Sequence, residues 1–325
     1  MLDRFGRNID YLRVSVTDRC NLRCVYCLPA EGIQLKQHQD MLSYEELERV
    51  IRVFTEFGIK RVRVTGGEPL VRRGIIPFLA KVVAMKGVED VAITTNGVLL
   101  EAAAPDLWNA GVRRLNISLD TLKPERFREI TRFGDLNRVR QGIDKVLSLG
   151  FGPVKLNVVL LRGTNDDEVG DFARWTREVP LHIRFIELMP LGEGHLWSAS
   201  RFVSAGEIKD RLATEFTLNR VSEVYGGGPA RYYQIPGGKG TIGFITAMSQ
   251  HFCQFCNRVR LTADGKINPC LASPLEVDLA TPMRSGASDG ELRELIRMAV
   301  LIKPAEHHLE SDAQVTLRQM SKIGG

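Results

Sequence analysis

No run of apolar residues approaches the roughly 18 that a membrane-crossing helix needs. The opening MLDRFGRNIDYLRV is charged throughout and has no apolar segment of the kind that marks an export signal. No block of like charges forms a nucleic-acid-binding tail. No period repeats, and no tract is of low complexity. The phosphate-binding pattern G-x-x-x-x-G-K-S/T is missing too, because the Gly-rich run GGKGTIG (Gly237–Gly243) fails its spacing. These absences speak against a membrane protein, an exported protein, a repeat array and a P-loop nucleotide hydrolase. A cytoplasmic location is expected, where thiols stay reduced.

What is present suits a soluble globular chain. Its 325 residues are 44% hydrophobic and 26% charged, enough for one large domain or two smaller ones. The formal net charge of +5 fits an ordinary surface and also a basic cleft for an anionic ligand. Six cysteines in a reducing compartment point to metal binding or catalysis rather than disulfides.

From Leu12 to about Pro190, short β-branched segments alternate with helical ones. The expected strands are Leu12–Val16, Arg61–Thr65, Asp90–Thr94, Arg114–Leu119, Lys155–Leu160 and His182–Leu188. Ser43 and Glu46 form a capping-box pattern. Leu47, Val50, Ile51, Phe54 and Phe57 then lay one apolar stripe along a helix, and Gly58 offers a left-handed stop. Asn165, followed by three acids, predicts another helix start. Six βα units predict an α/β fold with a parallel sheet, open or curled into a partial barrel. TGGEP, TTNG, SLD and ELMP fall at strand ends, where such a barrel gathers its chemistry. After about residue 190 the pattern becomes less regular and rich in Gly and Pro.

All six cysteines fall into two triads. Cys20, Cys24 and Cys27 form C-x3-C-x2-C, and Cys253, Cys256 and Cys270 form C-x2-C-x13-C. Thiolates suit zinc, copper(I) and iron–sulfur clusters. A structural zinc site needs a fourth ligand, for which His38 is a candidate at the first triad and His251, His307 or His308 at the second. A 4Fe-4S cluster on three cysteines instead leaves one iron open to a small molecule.

The first triad, with aromatic Tyr26 before its last cysteine and Gly66-Gly67-Glu68-Pro69 about forty residues on, resembles the signature of the radical S-adenosylmethionine superfamily. In that family S-adenosylmethionine chelates the open iron and is cleaved reductively to a 5′-deoxyadenosyl radical. VSVTDRCNLRCVYC, RVTGGEP, TTNG, ISLD, KLN, RFIELMP, the second triad and the terminal Ile323-Gly324-Gly325 are together similar to the GTP 3′,8-cyclase family of molybdenum cofactor biosynthesis. The likeness runs over essentially the whole chain.

That resemblance implies a partial (β/α)6 TIM-like barrel over residues 1–225, with a less regular C-terminal region, 226–325, covering the barrel opening. It implies two 4Fe-4S clusters, the second with an open iron that meets the guanine of GTP. It assigns Tyr26, Gly67, Ser118 and Met189 to S-adenosylmethionine, and Arg13, Arg63, Thr94, Lys155, Arg258 and Arg260 to GTP. It gives the tail residues Gly324 and Gly325 a place in the site. The implied lyase reaction removes the ribose C3′ hydrogen of GTP, and the C3′ radical closes on guanine C8. The product is (8S)-3′,8-cyclo-7,8-dihydroguanosine 5′-triphosphate. Cyclic pyranopterin monophosphate synthase is the implied downstream enzyme, an electron donor of unknown identity is required, and a homodimer is compatible. No nucleic-acid or membrane partner is implied. The rival readings are a peptide-modifying radical enzyme with an auxiliary cluster and a zinc-binding nucleic-acid module.

Overall fold

The computed structural model describes residues 1–191, 200–222, 226–307 and 309. Strands β1 (Tyr11–Ser15), β2 (Arg61–Thr65), β3 (Asp90–Thr95), β4 (Arg114–Ser118), β5 (Val154–Leu160) and β6 (Leu181–Glu187) lie side by side in chain order. All five pairings between them are parallel. Each expected strand is found to within one residue at either end. Between the strands run α1 (Tyr44–Glu56), α2 (Ile75–Val83), α3 (Leu100–Asn109), α4 (Pro124–Thr131), α5 (Leu136–Ser148) and α6 (Val169–Glu178).

The period of two sorts side chains to opposite faces. Leu12, Val14, Val62, Val64, Ile183 and Phe185 join the hydrophobic core. The residues between them, Arg13, Arg63 and Arg184, point the other way and line a common cavity. Arg13 sits on β1 and Arg184 on β6, at the two ends of the parallel row. Their convergence shows that the sheet curls around its polar face without closing, which is a partial barrel.

α1 forms as its sequence predicts. Ser43 Oγ accepts from Glu46 N, and Glu46 Oε2 accepts from Ser43 N. Leu47, Val50, Ile51 and Phe54 are buried, and Gly58 stops the helix at φ +84. Asn165 behaves differently from expectation. It makes no cap bond and is followed by a 3-10 turn, Asp166–Glu168. Its amide donates instead to Asp120 O and Val159 O, and its Oδ1 accepts from Leu161 N. The side chain ties the ends of β4 and β5 together, a tertiary demand that local helix chemistry does not reveal.

The C-terminal part holds α7 (Ala205–Ala213), β7 (Asn219–Val221), β8 (Arg231–Gln234), β9 (Thr241–Ile245), β10 (Arg258–Leu261), β11 (Lys266–Asn268), β12 (Val277–Asp278), α8 (Ala280–Arg284) and α9 (Asp289–Leu301). It does more than pack on the core. β9 pairs parallel with β6 and β10 pairs parallel with β1, giving one twelve-stranded sheet. The edges of the six-stranded row would otherwise expose unpaired backbone groups. Arg49 and Arg293 bond to Asp289 and Glu56, joining α1 and α9.

Candidate active site

A cavity of about 320 Å³ lies on the polar face of the sheet. Both cysteine triads open into it. The first follows β1 in a loop held by the C-terminal end of α4. Arg23 N donates to Thr131 O and Val25 N to Ile130 O. Arg132, at φ +67, donates to Arg23 O and Leu28 O, on either side of Cys24 and Cys27. The second triad brackets β10. Cys253–Phe255 form a 3-10 turn in which Cys256 N donates to Cys253 O, and Cys270 follows β11.

The segment Gly66-Gly67-Glu68 docks on the first cysteine loop. Gly67 N donates to Thr17 O at 2.7 Å and Glu68 N to Arg19 O at 2.8 Å. Glu68 is fully buried, and its carboxylate accepts from Thr95 Oγ1, Asn96 N and Leu70 N. Burial pushes it up to about 7 against those bonds. A Cβ on Gly67 would stand 2.3 Å from Arg19 O, a backbone atom that cannot swing away. Gly67→Ala is therefore expected to cost about 1–3 kcal/mol by overpacking. Thermal unfolding of the variant checks this, and an unchanged midpoint would mean the loop yields freely.

Tyr26, Gly67, Ser118 and Met189 all line the cavity. Tyr26 Oη donates to Asp120 Oδ2 at 2.6 Å, while Asp120 Oδ1 accepts from Val159 N. Burial pushes Tyr26 well above its usual range and raises Asp120 to about 6. Asp120 lay within the SLD motif but carried no assignment from sequence.

Of the six residues expected at GTP, Arg13, Arg63, Thr94, Arg258 and Arg260 line the cavity. In the register Arg63 faces Arg13 and Arg13 faces Arg260, so three guanidinium groups stand abreast on β2, β1 and β10. Lys155 does not line the cavity. It is buried two residues before Asn157, which does, with its Nζ 5.7 Å from the Tyr232 ring centroid. Burial, then Arg184, Arg114 and Arg63, bring it down to about 6. Arg184 lines the cavity and was missed. The alternation of HIRFIEL around Ile183 and Phe185 was the signal that would have found it. Lys303, just beyond α9, had no motif to mark it. Its Nζ donates to Pro269 O at 2.6 Å and Arg258 O at 3.0 Å. Gly324 and Gly325 lie outside the described residues, as does His308.

Among the described residues lining the cavity, Arg13, Arg63, Arg184, Arg258, Arg260 and Lys303 face a single carboxylate, Asp120. Burial holds Arg13 well below the guanidinium range, with Arg260 and Arg63 adding to the effect. Arg63 and Arg260 are each brought down to about 10, first by burial. The Nε atoms of Arg13, Arg63, Arg184 and Arg258, and Oγ1 of Thr94, are buried without a hydrogen-bond partner. Buried like charges and unmet donors are costly, and a polyanion would satisfy both at once through forked, charge-assisted bonds.

The triads suit clusters better than single ions. Two sulfurs bound to one zinc at about 2.3 Å lie no more than about 4.6 Å apart. Among the described residues, only His251, Cys253 and His307 bring three ligand atoms within 4.8 Å of one another. The three sulfurs of neither triad all lie within 4.8 Å of one another, which speaks against a single ion held by all three. His38 bonds Arg19 at 2.6 Å and joins no three-ligand group with the first triad. Burial pushes Cys20 and Cys24 up, and Asp120 adds to the rise at Cys24. At Cys256 burial acts upward too, but Arg258 and Lys303 outweigh it and bring the thiol down to about 7. Metal binding must expel the remaining protons.

Residues 14–176 match the family model described as Radical SAM superfamily, and residues 181–309 match Molybdenum Cofactor Synthesis C. The chain is 53% identical over 327 residues to the GTP 3′,8-cyclase of Heliobacterium modesticaldum, covering 100% of both chains. It is 51% identical over 325 residues to that of Moorella thermoacetica, again covering 100% of both. Streptococcus suis SuiB bound to precursor peptide SuiA shares the fold at a TM-score of 0.62, with 14% identity over 95% of this chain and 77% of that one. Two family models matched in order, and relatives alike from end to end, agree with the two triads set around one cationic cavity. The chain belongs to the GTP 3′,8-cyclase family of the radical S-adenosylmethionine superfamily.

Proposed function

We propose that the chain converts GTP to (8S)-3′,8-cyclo-7,8-dihydroguanosine 5′-triphosphate, the first step of molybdenum cofactor biosynthesis. The in-register row of Arg63, Arg13 and Arg260 carries this reading. A row of buried and half-buried guanidinium groups one strand apart suits an extended polyphosphate.

Cys20, Cys24 and Cys27 hold the first 4Fe-4S cluster, and Cys253, Cys256 and Cys270 hold the second. When bound, these clusters and S-adenosylmethionine supply the one-electron chemistry that removes the C3′ hydrogen and completes the new C3′–C8 bond. Tyr26, Gly67, Ser118 and Met189 seat S-adenosylmethionine beside the first triad. Arg13, Arg63, Thr94, Lys155, Arg258 and Arg260 hold the triphosphate, and Arg184 joins them from its place in the cavity. Fixing the phosphates fixes the ribose, which converts an encounter into a positioned reaction. The cavity wall keeps water from the reacting carbon. Residues 1–225 form the core unit and 226–325 the unit that brings the second triad to it. Gly324 and Gly325 join the site on the family likeness alone.

Arg260→Ala is expected to weaken GTP binding about tenfold to a hundredfold, as loss of a charge-assisted bond of about 1.5–3 kcal/mol requires. Calorimetry without reductant measures it. An unchanged affinity would return Arg260 to a purely structural role.

The reaction needs an external electron donor, and its product passes to cyclic pyranopterin monophosphate synthase. Among the described residues no helix is long and apolar enough to cross a membrane, which suits a cytoplasmic enzyme. A homodimer is compatible with this reading.

A further inference from the structure

We propose that His251, Cys253 and His307 form a mononuclear site for a divalent cation of zinc type, filled in chains that have not received the second cluster. Their ligand atoms all lie within 4.8 Å of one another. In a tetrahedral zinc site a nitrogen at about 2.0–2.1 Å and a sulfur at about 2.3 Å lie roughly 3.5 Å apart. Closing the group therefore needs shifts of up to about an ångström, within reach of side-chain rotation. A half-buried site of two imidazoles and one thiolate, with a fourth position left to water, is ordinary zinc chemistry.

The surroundings prepare it. His307 Nε2 lies 2.9 Å from Ala247 O. A carbonyl oxygen only accepts, so Nε2 carries the proton and Nδ1 carries the lone pair. This is the outer-shell bond that orients a histidine ligand. The two imidazole rings lie 4.2 Å apart at a tilt of 38°. Arg7 joins the two segments that carry the ligands. Its Nη1 donates to Cys253 O at 2.9 Å and to Ala305 O at 2.7 Å, and its Nη2 to Pro304 O at 2.6 Å. Asp3 anchors Arg7 in turn at 2.6 Å. Three stretches of chain, around residues 247–251, 253 and 303–307, are thus held in register before any metal arrives.

Binding exchanges the Cys253 thiol proton for the metal–sulfur bond and releases that proton. Cys256 and Cys270 take no part. Because Cys253 serves both, the ion and the second cluster exclude each other. The binding stands on geometry alone; only the competition rests on the reading of the second triad as a cluster site.

Cobalt(II) is the probe, because its thiolate charge-transfer band reports sulfur coordination. The full chain carrying Cys20→Ser, Cys24→Ser and Cys27→Ser removes the first triad from the titration. It is expected to bind one cobalt with that band, and zinc should displace it. His251→Gln and His307→Gln should each weaken binding at least about tenfold. Cys253→Ser should abolish the band, and Cys270→Ser should leave it. Binding indifferent to both histidine variants, or lost in Cys270→Ser, would place the ion on the cysteine triad and overturn the site. In the same background, chains reconstituted with the second cluster should refuse cobalt. Uptake there without iron loss would overturn the competition. Cobalt binding that follows the histidines in a chain that never takes a second cluster would support the site while counting against the cluster reading.

Discussion

Cys24→Ser is expected to reduce S-adenosylmethionine cleavage to the level of a protein-free control. Cys24 lies in the middle of a loop fixed from both sides, with Arg132 bonded to Arg23 O and Leu28 O. Serine preserves that loop but replaces the soft thiolate with a hard, rarely ionised hydroxyl. Two cysteines cannot hold a cluster that already lacks one protein ligand. The measurement is 5′-deoxyadenosine formed under reducing, oxygen-free conditions, with iron content taken in parallel. Normal 5′-deoxyadenosine from a chain lacking Cys24 would mean that the radical source lies elsewhere.

Cys256→Ser should separate the two halves of the reaction. The first triad lies in the loop after β1 and shares no cysteine with the second, which brackets β10. Cleavage should therefore persist, uncoupled from substrate, while the cyclised product disappears. Cys256 is the thiol that Arg258 and Lys303 draw down to about 7 against burial, so its loss also takes an anionic partner from half-buried Arg258 and buried Lys303. That penalty predicts weaker retention of whatever remains at the second site. Product at normal yield from Cys256→Ser would remove the second triad from the chemistry.

The parallel core was legible because its strands announce themselves twice. Leu12, Val14, Val62 and Val64 are β-branched or aliphatic at alternate positions, and turn residues follow each run. The same alternation carried Arg13 and Arg63 to the inner face, and the short spacing of Arg258 and Arg260 told the same story on β10. What escaped was set by tertiary pairing. β9 follows a Gly-rich run and β10 is only four residues long after the cysteine pair, so nothing local shows that they extend β6 and β1. Asn165 reads as a cap and serves as a tie between strand ends. Lys303 lies beyond α9 in an unremarkable sequence, and only the fold brings it to Pro269 and Arg258. Lys155 shows the opposite limit. Family likeness alone marks it for the substrate; the structure buries it on the face of β5 that carries Asn157, near Arg184, Arg114 and Arg63.

The central claim is that one cavity holds S-adenosylmethionine at the first triad and GTP along the arginine row, close enough for hydrogen transfer. The most direct measurement supplies the reconstituted, oxygen-free enzyme with reductant, S-adenosylmethionine and GTP deuterated at C3′. Mass spectrometry then reads the 5′-deoxyadenosine. The account predicts one deuterium in it, together with a cyclised nucleotide that has lost the label. Unlabelled 5′-deoxyadenosine, from protein carrying both clusters and bound GTP, would contradict it.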